Sequence, residues 1–127
     1  MARAVLDASA LLALLNGEPG AEEVAAVLHE AAISTVNLSE VVAKLAEAGM
    51  PEPAIREAFQ MLPLEVVPFD MEQAYEAGVL RPATRVAGLS LGDRSCLALA
   101  KRLGLPALTT DRTWEQLSVG AEVRAIR

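Results

Sequence analysis

Short apolar runs alternate along the chain with longer segments whose apolar residues recur every three or four positions. The short runs predict buried strands at 4–6, 33–36, 64–69, 107–109 and 122–126. The longer segments predict helices at 8–15, 21–32, 38–49, 51–62, 71–80 and 91–103, a short helix at 113–117, and loops at 16–20 and 82–88. Because strands that alternate with helices form βαβ units, we predict one α/β domain, residues 1–127, with a mostly parallel sheet of about five strands.

Acidic residues follow several of the predicted strands. Asp7 comes directly after the first strand, Asp111 follows the fourth, and Glu40 lies in the first turn of the helix after the second. In open parallel sheets ligands bind outside the carboxyl ends of the strands, so these acids are expected on one side of the molecule. Asp93 follows a loop between two helices, and the local pattern does not place it at that edge.

The same acids also match helix caps, and the pattern alone leaves both interpretations open. Asp70 likewise follows a strand, and we expect it to be only a cap. The alternatives are N-caps at Asp7 and Asp111, capping boxes at Asn37 to Glu40 and Ser90 to Asp93, and an ion pair of Glu40 with Lys44.

Composition indicates a globular protein and leaves its partner open. Hydrophobic residues make up 53% of the 127 residues and charged residues 22%, with a net charge of −6 that argues against a general nucleic-acid binder. The charge is uneven: residues 1–64 hold three basic and nine acidic side chains, whereas residues 65–127 hold eight of each. Because acids that bind a cation would raise the acid count, the overall sign does not decide the function.

The sequence also bears on the compartment. The longest apolar stretch, 11–15, is far shorter than the ~20 residues of a membrane span, and Asp7 interrupts the apolar start, so we expect neither a membrane segment nor a signal peptide. A single cysteine, Cys96, forms no internal disulfide, which favours a reducing cytoplasm.

Four motifs together identify a resemblance. They are VLDASALLALL with EPGAE, NLSEV, LSLGDRSCLALA and LTTDRTW, and their order and spacing across nearly the whole chain resemble the PIN domains of VapC-type toxins. The resemblance implies a three-layer α/β/α fold, often with strand order 3-2-1-4-5, and an acidic pocket that binds Mg²⁺ or Mn²⁺ and cleaves RNA. It implies that the catalytic, metal-binding acids are Asp7, Glu40, Asp93 and Asp111, and that Ser9 and Thr109 support them.

Elementary electrostatics explains why such acids would need a cation. Two carboxylates about 4 Å apart repel by ~4 kcal/mol at an effective dielectric near 20. Oxygen ligands favour Mg²⁺ or Mn²⁺ over zinc, and the one histidine and one cysteine show no ligand spacing. Our hypothesis is hydrolysis of an RNA phosphodiester by metal-activated water, without a protein nucleophile.

The resemblance also implies partners, namely a VapB-like antitoxin and a second copy of the chain in a homodimer. The helices from Lys44 to Leu62 either pack entirely on the sheet or form a groove for an antitoxin helix. Arg94 and Arg112 adjoin two of the acids, and either pair with them or contact RNA phosphate.

Two alternative functions are a PIN-like protein-binding module without nuclease activity and a receiver-like regulatory domain. A receiver would need an acidic pair at the position where Asp7 is the only acid.

Overall fold

All five strands lie in one parallel sheet with the order β3-β2-β1-β4-β5. The computed structural model describes residues 2–127. The strands are β1 Ala4–Leu6, β2 Ala31–Ser34, β3 Glu65–Val67, β4 Ala107–Thr109 and β5 Val123–Ala125. The helices are α1 Ala8–Asn16, α2 Ala21–Val27, α3 Thr35–Glu47, α4 Glu52–Gln60, α5 Met71–Val79, α6 Arg81–Thr84 and α7 Leu91–Leu103, with 3-10 turns at Leu28–Glu30 and Arg112–Gln116.

The sheet separates two hydrophobic cores. Side chains of a strand alternate between its two faces, so Ala4 and Leu6 of β1 join one core and Val5 joins the other. Helices α1 to α4 cover the first core, and α5 and α7 cover the second. The protein is therefore a three-layer α/β/α structure, as expected. Its strand order matches the one implied by the resemblance and differs from the 2-1-3-4-5 order of receiver-like domains.

Several element boundaries differ from the sequence prediction, most of all around the second strand, which ends at Ser34 rather than at residue 36 and is followed by α3 from Thr35 rather than from residue 38. The helix expected over 21–32 ends at Val27, and the second strand begins at Ala31 rather than at residue 33. Alanine fits a helix as well as a buried strand, and here the pairing of Ala31 with Ala4 of β1 decides the outcome. The predicted loop at 82–88 contains the short helix α6, with Pro82 in its first turn.

Within residues 2–127, no helix combines the length and the apolar character that crossing a bilayer requires.

Candidate active site

Asp7 lies at the carboxyl end of the central strand β1 and is the N-cap of α1. Only 4% of its surface is exposed, and three donors hold its carboxylate. Oδ1 accepts hydrogen bonds from Ser9 Oγ (2.7 Å) and the Ala10 amide (2.8 Å), and Oδ2 accepts one from Thr109 Oγ1 (2.6 Å). Burial raises the pKa of Asp7 to about 6 although these bonds lower it, and the negative charge of Asp93 raises it further.

Ser9 and Thr109 connect this carboxylate to the end of β4. Ser9 Oγ accepts a hydrogen bond from the Thr110 amide (3.0 Å), and Thr109 Oγ1 accepts one from the Asp111 amide (3.1 Å). Because each hydroxyl accepts from the backbone, its own proton is directed at Asp7. Both residues thus contact the first acid, and their supporting role in activity stays a prediction.

Glu40 is held by Asn37, whose place in the sequence pattern predicted a helix cap instead. Helix α3 begins at Thr35, because Ser34 Oγ caps it by accepting from the Val36 amide (3.2 Å), so the predicted cap at Asn37 is wrong. Asn37 is 1% exposed, and its Nδ2 donates to Glu40 Oε1 (3.0 Å) and to the Gly92 carbonyl (2.9 Å). The sequence did hold a signal for this contact: Asn37 lies three residues before Glu40, so the two side chains share one helical face.

Gly92 permits the close approach of α3 and α7. A methyl group at this position would overlap both carboxylate oxygens of Glu40. Burial raises the pKa of Glu40, and the charge of Asp93 raises it further, whereas the bond from Asn37 lowers it. The alternative ion pair of Glu40 with Lys44 is absent from the described chain.

Asp93 lies at the same edge of the sheet, which the local pattern did not predict. It forms the expected capping box, in which its Oδ2 accepts from the Ser90 amide (2.9 Å) and its own amide donates to Ser90 Oγ (3.2 Å). Its charge raises the pKa of both Asp7 and Glu40. The first turn of α7 therefore brings a third acid to the carboxyl ends of the strands.

Asp111 also lies at this edge, but its carboxylate bonds locally. Oδ1 accepts from the amide (3.0 Å) and hydroxyl (2.6 Å) of Thr113 and caps the following 3-10 turn. The predicted control Asp70 caps α5 by accepting from the Gln73 amide (2.9 Å). Of the four predicted acids, the structure brings the charges of Asp7, Glu40 and Asp93 together, and it places Asp111 beside them through its backbone.

This arrangement agrees with a match to a known family. The family model of the PIN domain matches residues 4–120 of the chain. The chain belongs to the PIN-domain family. Members of this family are nucleases, that is, enzymes that hydrolyse nucleic acids. No curated protein matches the chain in sequence.

Solved structures similar to this PIN domain confirm its fold. DNA-bound VapBC from Salmonella typhimurium is 20% identical over 100% of both chains, with a TM-score of 0.77. A toxin–antitoxin complex from Klebsiella pneumoniae is 21% identical over 98% of both chains, with a TM-score of 0.77. VapBC-5 from Mycobacterium tuberculosis is 25% identical over 100% of this chain and 99% of that one, with a TM-score of 0.65.

The acids of this PIN domain suit a hard cation in chemistry and charge. Across residues 2–127, none of the four predicted acids forms an ion pair with a basic side chain. The buried Cys96 thiol reports the same negative potential: desolvation raises its pKa, and the charges of Asp7, Asp93 and Glu40 raise it further. All-oxygen donors with uncompensated charge match Mg²⁺ or Mn²⁺.

The ligand geometry, however, is not preassembled. In the part of the chain that the structure describes, no three acidic, histidine or cysteine side chains are arranged to hold a metal ion. Asp7 is fixed by its three donors, whereas Asp93 has one carboxylate oxygen outside its capping box. Ion binding would therefore need side-chain movement, chiefly of Glu40 and Asp93.

Proposed function

We propose that residues 1–127 of this PIN domain form one Mg²⁺- or Mn²⁺-dependent endoribonuclease domain that acts as a VapC-type toxin. One observation carries the proposal: at the carboxyl edge of a PIN-domain sheet the charge of Asp93 acts on both Asp7 and Glu40, and within residues 2–127 no basic side chain pairs with any of the three. Such a cluster is costly to maintain unless a cation binds there. The nuclease activity of the family supplies the reaction class.

Each residue has a role in this proposal. Asp7, Glu40, Asp93 and Asp111 would hold the ion, which when bound activates a water and stabilises negative charge on phosphate oxygens. Ser9 and Thr109 orient Asp7 through the short bonds that they donate to it. Asn37 orients Glu40. The Ser9 and Thr109 hydroxyls are held between a backbone amide and Asp7, so we assign the role of nucleophile to water.

Metal-dependent RNA cleavage by matched variants tests the proposal. Asp7→Asn and Asp70→Asn both replace an aspartate that follows a parallel strand and caps a helix, but only Asp7 belongs to the acid cluster. We expect cleavage of single-stranded RNA by wild type and Asp70→Asn with Mn²⁺, and loss by at least a hundredfold with EDTA or Asp7→Asn, because the ion and its ligand act together. Full activity of Asp7→Asn would refute the proposal. Folded wild type that neither cleaves RNA nor binds Mn²⁺ would favour a PIN-like binding module.

A VapB-like antitoxin is the partner that belongs to this proposal. The three similar structures named above are VapBC or toxin–antitoxin complexes. Part of the α3 and α4 pair packs in the core through Val41, Leu45 and Ile55. The rest leaves an apolar groove whose lining includes Leu38, Val42, Ala46 and Phe59. An amphipathic helix fits such a groove, and Phe59→Asp should abolish capture of the antitoxin in a pulldown while the fold persists.

Dimerisation and a cytoplasmic location complete the proposed function. Met71, Tyr75 and Val79 lie one helical turn apart on α5 and are 74%, 66% and 74% exposed. An exposed apolar stripe of this kind is typical of an interface, and we assign it to the homodimer. Sedimentation of wild type against Tyr75→Glu checks the assignment.

A further inference from the structure

Basic side chains of this protein divide into two groups. Five arginines form ion pairs with acids: Arg3, Arg56, Arg102, Arg124 and Arg127. Within residues 2–127, six basic residues have no acidic partner: Lys44, Arg81, Arg85, Arg94, Lys101 and Arg112. A cation that is neutralised within the protein contributes less to binding phosphate than one that is not, so the second group is where an RNA contact is expected.

Arg81 lies beside the acid cluster. Its Nη1 donates to the Leu89 carbonyl (3.4 Å), and Asp93 Oδ2 accepts from the Ser90 amide (2.9 Å). That carbonyl and that amide belong to one peptide group, so the guanidinium of Arg81 and the carboxylate of Asp93 hold its two ends. At 3.4 Å the bond of Arg81 is long and weak, which leaves the side chain free to engage another acceptor.

Arg85 follows Arg81 by four residues, and its backbone (φ −62°, ψ −44°) continues the helical turn of α6. Residues four apart lie on the same helical face, so the two guanidinium groups project from one side. Thr84 is fully buried and anchors the turn by donating to the Leu80 carbonyl (2.8 Å). Arg81 and Arg85 are exposed, and Arg85 makes no side-chain hydrogen bond to any described residue. We name residues 81–85 the arginine strap.

Arg94 does not belong to this surface. Although it adjoins Asp93, its Nη1 donates to the Ala77 carbonyl (3.1 Å), and the side chain is partly buried. It therefore joins α7 to the end of α5. The exposed arginines without an acidic partner near the acid edge are therefore Arg81 and Arg85 of the strap, next to Asp93, and Arg112, next to Asp111. Only the strap presents two of them on one helical face.

We propose that the arginine strap binds backbone phosphates of the RNA that enters the acid cluster. This inference rests on the proposed nuclease function, because it names the surface by which that substrate is held. A protein of net charge −6 with a carboxylate cluster repels RNA, so its approach requires local positive charge that is not already neutralised. Arginine suits this role because its planar guanidinium matches a phosphate with two parallel hydrogen bonds.

Binding of RNA to Asp7→Asn protein tests the proposal without cleavage. Fluorescence anisotropy with a short single-stranded RNA and Mg²⁺ would compare Arg85→Ala and Arg81→Ala/Arg85→Ala with Arg3→Ala/Arg124→Ala, which removes two exposed, ion-paired arginines. We expect the strap double variant to weaken binding about tenfold or more, and to reduce the slope of log K against log salt by ~1.4, since each single-strand phosphate contributes ~0.7. The control variant should stay within about twofold of Asp7→Asn.

Arg85→Ala guards against a folding effect, because the exposed Arg85 side chain forms no hydrogen bond or ion pair with any described residue. This single variant should show part of the decrease. Equal losses in strap and control variants, or an unchanged salt slope, would overturn the proposal. DNA of the same sequence should lose the same factor, since its phosphates are the same, and a loss confined to RNA would rule out a phosphate contact. If Asp7→Asn protein with both arginines binds no RNA, the strap proposal fails, and the nuclease function is then decided by wild-type cleavage.

Discussion

Asn37 is the side chain that most directly fixes the position of Glu40. Its Nδ2 faces two acceptors, Glu40 Oε1 and the Gly92 carbonyl, so the opposite orientation of the amide would place oxygen against oxygen. Its Oδ1 is buried and has no hydrogen-bond partner in the described residues. A buried polar atom without a partner lowers stability, so Asn37 is poorly suited to a purely structural role.

Replacing Asn37 by leucine should lower the affinity for Mn²⁺ while the protein stays folded. The change keeps the approximate shape and removes the donor that orients Glu40, and we expect the affinity for Mn²⁺ to fall by roughly 10–100-fold, as for other partners of metal ligands. Gln73→Leu is the matched control, because Gln73 is also a buried amide, 2% exposed, that donates to a carbonyl and has an unpartnered oxygen. Calorimetry measures the Mn²⁺ affinities of the two folded variants. Equal affinities would show that Asn37 does not position a metal ligand.

Asp7 should make stability depend on pH. Its pKa in the folded protein, about 6, lies above the ordinary 3.8, so the folded state binds the proton more tightly than the unfolded state does. The resulting stabilisation is complete below pH 4 and is lost as the pH rises through 6. It amounts to about 3 kcal/mol at 1.36 kcal/mol for each pH unit.

Urea unfolding of the metal-free protein from pH 4 to pH 8 measures this effect. The free energy of unfolding of wild type should fall relative to that of Asp7→Asn across this window, because the variant has no proton to lose at this position. A difference between the two proteins that stays constant with pH would show that Asp7 does not titrate as described.

At the scale of the elements, the contact between α3 and α7 creates the site. Asp93 lies in the first turn of α7, whereas Glu40 lies in the second turn of α3 and not in the first turn as predicted, because α3 begins at Thr35. The two helices meet at Gly92. The capping box at Ser90 and Asp93 was predictable from local sequence, since it depends on residues three apart. Its position beside Asp7 was not predictable, because it depends on how α7 packs against the sheet.

Two glycine substitutions separate helix stability from site geometry. Gly78 in α5 has nothing within 4 Å of an added methyl, so Gly78→Ala should stabilise the protein by about 0.5–1 kcal/mol. Gly92→Ala should remain folded, because the overlapping group is the mobile end of Glu40, but it should displace that carboxylate and reduce RNA cleavage at least tenfold. Thermal melting and cleavage rates of both variants test this, and full activity of Gly92→Ala would contradict the described contact.

The alternation of apolar patterns predicted all five strands and a mostly parallel sheet. It succeeded because strands and helices have different periods, which are clear where β-branched residues or long amphipathic segments occur. It failed where alanine was the only signal, at Ala31 and Ala32, and where a proline loop folds into the short helix α6. Asp7, Asp111 and Glu40 could be placed at one edge from parallel topology alone. Asp93 could be predicted as a site residue only from the resemblance to the PIN-domain family.

At the scale of the whole molecule, charge is arranged so that one edge stays unbalanced. Five arginines elsewhere pair with acids, for example Arg3 with Glu30 and Arg127 with Glu18. Asp7, Glu40 and Asp93 have no such partner within residues 2–127, and the charge of Asp93 acts on the other two. The central claim is therefore that this edge binds a divalent ion.

Calorimetric titration of the folded protein with Mn²⁺ at pH 7.5 tests that claim most directly. Wild type and Asp70→Asn should bind with equal affinity, since Asp70 caps α5 and pairs with Arg102 rather than joining Asp7, Glu40 and Asp93. Asp93→Asn should lose most of the binding, because it removes the charge that acts on both Asp7 and Glu40. Equal binding in all three proteins, or none in wild type, would contradict a cation site at this edge.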